Sequence, residues 1–144
     1  MLVYSARILL FISFIMTPLS AYDSKTAAII YEKIFKSFIN SEQINIYADS
    51  IEFSEVFKHS SLLNRVYSPF EADITVVTKD DEILEDKTLI LFATDIDLVK
   101  KSSNVIGAFY WDHGRPKIVF IRSRLKYYNI NIGYYFSKYI KDDF

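Results

Sequence analysis

Between residues 25 and 39, apolar side chains recur at a helical interval. Ala27, Ile30, Ile34 and Phe38 form a stripe, and Ala28, Tyr31 and Phe35 widen it. Lys25, Glu32, Lys33 and Lys36 fall opposite, Asp23 or Ser24 is placed to cap the start, and Asn40 and Ser41 end the run. Residues 44–48 then alternate apolar and polar, which predicts a strand. Asp49 or Ser50 caps a short helix carrying Ile51, Phe53, Val56 and Phe57. Residues 60–70, with Pro69, read as a loop. Residues 73–78 are rich in β-branched side chains and predict a strand. Residues 79–87 are polar and acidic, with room for a helical turn anchored by Ile83 and Leu84.

Residues 88–93 form a continuous apolar run, the pattern of a strand covered on both faces. Thr94 or Asp95 caps a short helix to Lys101. Residues 105–111 and 117–122 predict two strands joined by a hairpin turn at 112–116, around Gly114. A helical turn is expected at 123–128, a break at 129–133, and a terminal helix at 134–141. Helices thus alternate with strands. The fold class is α/β: a three-layer or two-layer sandwich with a mixed, mostly parallel sheet and a C-terminal antiparallel hairpin.

The first residues follow a different pattern. Arg7 and the amino terminus are positive, residues 8–16 are apolar except for Ser13, and Thr17, Pro18, Leu19, Ser20 and Ala21 follow. That is the order of a secretory signal, and its apolar run is about half the roughly 20 residues of a membrane span. The expectation is a signal peptide over residues 1–21, cleaved after Ala21, and a single domain over residues 22–144 in the periplasm. An uncleaved anchor is the competing reading.

Composition narrows the chemistry. The 144 residues are 51% hydrophobic and 17% aromatic, enough to build a core. A net charge of −1 disfavours nucleic acid as a partner. The absence of cysteine removes disulfides, thiol nucleophiles and thiolate metal sites, and two histidines, His59 and His113, do not make a multi-histidine metal site. Neither histidine lies near a nucleophile-elbow pattern, and there is no phosphate-binding glycine loop. Nine acids between residues 71 and 97 lack the alternating spacing of a calcium loop and read as a solvated edge. No catalytic residue, cofactor or metal is expected, and the protein is not expected to be an enzyme.

The opposite pole is basic. Arg115, Lys117, Arg122, Arg124 and Lys126 occur without an acid among them, beside Phe109, Tyr110 and Trp111. Arginine, tryptophan and tyrosine are the usual anchors of protein interfaces. Phe109, Tyr110, Trp111, Arg115, Arg122 and Arg124 are therefore the candidate partner-binding residues. Strand alternation sends residues 109 and 111 one way and 110 the other, so only one set can face a partner. Trp111, beside the turn, is the expected exposed anchor. The competing reading is a core aromatic set with a solvated basic rim.

Residues 27–38 resemble the N-terminal helix of the YfiR-like periplasmic family. Residues 44–48 resemble its first strand, 88–94 its buried central strand, 106–121 its closing hairpin, and 122–140 its ending. The resemblance is one of pattern and order over most of residues 25–140. It implies a non-enzymatic periplasmic regulator that binds the periplasmic part of an inner-membrane sensor or diguanylate cyclase and restrains it, setting cyclic-di-GMP level. A homodimer is left open. The alternative is a periplasmic small-ligand-binding domain. An exposed aromatic patch on the closing hairpin would favour the regulator, and a concave pocket with convergent polar groups would favour the ligand-binding domain.

Overall fold

The computed structural model describes residues 23–80 and 82–144. The signal sequence expected over residues 1–21 lies outside the described residues. Helix α1 (Ser24–Lys36) starts where Asp23 accepts a hydrogen bond from the Lys25 N–H. The Thr26 hydroxyl also donates to Asp23 and holds that carboxyl below its usual range. Strand β1 (Ile44–Ala48) leads into α2 (Ile51–Lys58), and then β2 (Leu63–Arg65) and β3 (Ile74–Val77) follow. A 3-10 turn at Glu82–Glu85 precedes β4 (Leu91–Ala93) and α3 (Ile96–Lys101). Strands β5 (Val105–Asp112) and β6 (Arg115–Ile121) form the hairpin, and α4 (Arg122–Tyr127) follows. A 3-10 segment at Tyr134–Tyr139 and a short β7 (Ile140–Lys141) close the chain.

The sheet has seven strands in the order β2-β1-β3-β4-β5-β6-β7. All neighbours are parallel except β5 and β6. Both faces are covered. One core gathers Tyr31 and Phe35 of α1, Phe53 of α2, and Ile46, Ile74, Phe92 and Phe120 of the sheet. The other gathers Leu91, Ala93, Val105 and Ile121 with Leu98 and Val99 of α3. Of the two sandwich forms expected, the three-layer one is adopted. Leu91 and Phe92 are fully buried, as expected for a strand covered on both faces.

Three local expectations are corrected. The segment 60–70 contains β2, whose three residues are too few to show a period. The hairpin turn is two residues, His113 and Gly114, because both take positive φ (49° and 74°) and close a tight turn that leaves Asp112 paired with Arg115. Pro116 lies inside β6, in a stretch paired only with β5, where its missing N–H costs no second ladder. The expected terminal helix is a 3-10 segment that ends in β7, since residues 140–141 pair in parallel with Phe120 and Ile121.

One irregularity sets the hairpin's phase. Leu91 pairs with Val105, but Phe92 pairs with Gly107, so β5 advances two residues while β4 advances one. This bulge puts Ile106, Phe109 and Trp111 on one face and Val105, Ala108 and Tyr110 on the other. Gly107 is required there: a Cβ would lie 2.2 Å from the Val119 carbonyl oxygen and 2.9 Å from a Phe120 ring carbon. Gly107→Ala should cost about 3 kcal/mol in urea unfolding, because backbone must move to admit one methyl. Gly133→Ala, whose nearest neighbour would be 4.0 Å away, should be neutral or slightly stabilising. Equal midpoints for the two variants would show that the bulge does not depend on Gly107.

Candidate functional site

In parallel α/β sheets, ligands bind outside the carboxyl ends of the strands, where the strand order reverses. Here that point is β1, which pairs with β2 on one side and β3 on the other. The residues just past the strands are polar. Ser50 follows β1 and caps α2, its hydroxyl accepting from the Glu52 N–H at 3.1 Å. Thr78 follows β3, and its hydroxyl donates to Asp49 Oδ1 at 3.2 Å. Thr94 follows β4, and its N–H donates to the Val77 carbonyl at 3.1 Å, tying the two strand ends together.

These residues border a cleft of about 150 Å³. Ser50, Glu52, Thr78 and Thr94 supply its polar side, and Tyr31, Phe53, Phe109 and Trp111 supply its aromatic wall. The aromatic wall is one packed unit. Tyr31 meets Phe53 and Phe109 edge-on at ring separations of 4.8 and 5.1 Å, and Phe109 lies 5.7 Å from Trp111. The indole N–H of Trp111 is buried and has no hydrogen-bond acceptor among the described residues. A buried donor without a partner costs about 1–3 kcal/mol.

The residues singled out from sequence do not share one surface. Phe109 is 2% exposed and belongs to the first core. Trp111, expected as the exposed anchor, is half-buried on the cleft wall, because the bulge turns it to the side covered by α1 and α2. Tyr110 is half-buried against the opposite core. Arg115 is exposed at the hairpin, and the Arg122 Nε–H donates to Asp142 at 3.0 Å. Arg124 is a fastener within the fold. Its Nη1 donates to the carbonyls of Val99 (2.6 Å), Ser102 (2.9 Å) and Val105 (2.9 Å), joining α4 to the end of α3 and the start of β5. Burial lowers the Arg124 pKa from its usual value, with the charge of Asp143 pulling the other way. Of the six, only Phe109 and Trp111 reach the cleft. Ser50 carries a signal readable in sequence as a helix cap, whereas α3 is capped by Asp95, leaving Thr94 as the residue that ends β4, and their convergence depends on strand order.

Three other concavities are larger, one of them only slightly, at about 170 Å³ beside Pro69, Phe70 and Ile90. A groove of about 390 Å³ runs between the end of α1 (Lys33, Lys36, Ser37) and Gly133, Tyr135 and Phe136. A second, of about 280 Å³, lies beside Arg124. The smaller cleft is the stronger candidate, because four polar side chains and an aromatic wall converge on it at the strand ends. His113 stands away from it at the hairpin turn, with Nδ1 2.6 Å from Asp112. Among the described residues, no cluster of His, Asp and Glu has the arrangement of a metal site, and no helix is long and apolar enough to cross a membrane.

Compared with known proteins, the chain matches no family model and no curated protein.

Removing the Arg124 guanidinium takes a donor from three carbonyls, of which Ser102 keeps the Val105 N–H at 3.4 Å. Arg124→Ala should cost about 2 kcal/mol or more, whereas Arg115→Ala on the exposed hairpin should stay within about 0.5 kcal/mol. Thermal melts of the two variants check this. Equal melts would show that Arg124 is not a structural fastener.

Proposed function

We propose that the chain is a non-enzymatic regulatory domain of the periplasm that binds a small molecule in the cleft at the carboxyl ends of β1, β3 and β4. The observation that carries this reading is the convergence there of Ser50, Glu52, Thr78 and Thr94 on an aromatic wall. A concave site with a few placed polar groups is the usual form of a ligand seat. Its volume of about 150 Å³ is below the roughly 300 Å³ at which drug-sized pockets begin, so the ligand is small. The hairpin aromatics support this reading over an exposed hairpin interface, since Phe109 is buried and Tyr110 and Trp111 are half-buried.

Trp111 is the only tryptophan, so its emission reports directly on the cleft. A panel of small polar metabolites, spanning cations, anions and neutral compounds, should include at least one that shifts that emission saturably. Thr94→Leu, which fills the cleft with a larger side chain, should abolish the response while the domain stays folded. If no member of the panel perturbs the emission or the melting temperature, the ligand-seat reading fails.

A second reading follows from the YfiR-like resemblance: the domain restrains a membrane-bound diguanylate cyclase by contact. Its support is a different aromatic surface. Tyr134 is 95% exposed and Tyr135 65% exposed. Lys138 lies 5.7 Å from the Tyr135 ring, and Tyr135 borders the groove beside Lys33 and Lys36. Deleting the gene in its native host should raise cyclic-di-GMP, and a Tyr134→Ala, Tyr135→Ala double variant should fail to restore it. Unchanged cyclic-di-GMP on deletion would remove this reading and leave the ligand seat standing.

A further inference from the structure

We propose that the groove between the end of α1 and the 3-10 segment Tyr134–Tyr139 seats an acidic peptide segment of a partner protein, with one large apolar side chain of that segment in the groove and carboxylates beside it. The inference rests on the contact reading and adds the chemistry of the segment contacted.

The apolar part follows from the helix period. In a 3-10 helix, side chains three residues apart share a face. Phe136 and Tyr139 are such a pair and turn to the first core, where Phe136 lies 6.2 Å from the Phe120 ring. Tyr134 and Tyr135 are thereby sent outward and stay exposed. Gly133, Tyr135 and Phe136 form one wall of the groove, and the last turn of α1 forms the other. Gly133 keeps it open, because a Cβ there would have only the Ser37 carbonyl oxygen near it, at 4.0 Å. The volume of about 390 Å³ leaves room for a large side chain.

The sign comes from the rim. Lys33 and Lys36 stand three residues apart, exposed on one face of α1. Lys138 belongs to the opposite wall, its ammonium 5.7 Å from the Tyr135 ring and 5.1 Å from the Tyr139 ring. The carbonyl end of α1 favours lysines close to it, which accounts for Lys33 and Lys36 but not for Lys138. Among the described residues, none of the three forms an ion pair, and no acidic side chain lines the groove. Unpaired cations on both walls of an apolar floor complement a segment that carries acids on either side of an apolar residue.

Other occupants fit less well. Residues 1–22 of this chain contain Arg7 and no acid, so they lack the complementary charge. Recognition of anionic lipid uses clusters of about 4–8 Lys or Arg, more than the groove presents, and the flat surface of a bilayer does not enter a groove.

A displayed library of random peptides should be selected on the protein, with Gly133→Leu, which fills the groove, as the counter-selection. The enriched peptides are expected to carry acids flanking an aromatic or large aliphatic residue. A synthetic copy of the most enriched peptide should bind the protein saturably and more weakly as salt rises. The Lys33→Glu, Lys36→Glu double variant should weaken it at least about tenfold. Gly133→Leu should abolish it, and Lys25→Glu, at the other end of the same helix, should leave it unchanged. The melting temperature of each variant verifies that the fold persists. Enriched peptides without net negative charge, or peptides indifferent to the double variant, overturn the inference. So does a failure to enrich any peptide against Gly133→Leu. Binding of phosphatidylcholine–phosphatidylglycerol vesicles that the double variant abolishes, with no acidic peptide enriched, overturns it in favour of a bilayer. Self-association that Gly133→Leu abolishes, with no acidic peptide enriched, overturns it in favour of a second copy. Acidic peptides that bind as expected, with cyclic-di-GMP unchanged on deletion of the gene, uphold the groove's chemistry and remove the cyclase as its partner.

Discussion

The ring of Tyr31 is the point on which the layers meet. It is 1% exposed and touches rings from three other elements: Phe53 of α2, Phe92 of β4 and Phe109 of β5. Phe35, one helical turn further along α1, extends the stack to Phe92 at 5.4 Å. Edge-to-face pairs of this kind add about 0.5–1.5 kcal/mol each beyond the area they bury. They also fix direction, because a ring can be edge-on to several neighbours only in one orientation. A domain without cysteine has no covalent staple, so such packing must define the shape. Three of these rings, Tyr31, Phe53 and Phe109, also line the cleft, so the core and the candidate site share one wall.

The bulge in β5 decides which side chains reach that wall. Without it, strict alternation would place Val105, Gly107, Phe109 and Trp111 on one face. With it, Phe109 and Trp111 join Ile106 on the face covered by α1 and α2. A residue with a Cβ at position 107 would collide with the Val119 carbonyl, so one glycine couples the hairpin's register to the cleft. Function and fold share this constraint: the position that lets β6 approach β5 also orients the lone tryptophan.

Much of the fold was legible in the sequence. The stripe from Ala27 to Phe38 announced α1, and the apolar run at 88–93 announced a strand covered on both sides, of which residues 91–93 form β4 while 88–90 turn into it. Both signals are strong because burial on one or two faces imposes a period over several residues. What stayed hidden was short or non-local. Strand β2 has three residues and β7 has two, too few for a period. The candidate site was harder. Phe109 and Trp111 stood out by residue type, but a partner surface was expected of them. Their partners Ser50, Thr78 and Thr94 are common residues whose local role, helix capping or strand ending, is complete in itself. Only the pairing of β1 with both β2 and β3 brings them to one place. Arg124 shows the converse: as part of a basic run it read as surface, whereas three backbone carbonyls claim it.

The central claim is that the strand-end cleft is the place where this domain meets a small molecule. A two-dimensional proton–nitrogen spectrum tests it directly, because a single tryptophan gives a single indole signal. On titration with the panel metabolite that shifts the Trp111 emission, that signal should move together with the backbone amides of Ser50, Thr78 and Thr94, while those of His113 and Gly114 at the hairpin turn stay fixed. Shifts confined to Gly133, Tyr135 and Phe136, with the Trp111 indole unmoved, would contradict the account and place binding in the groove beside α1.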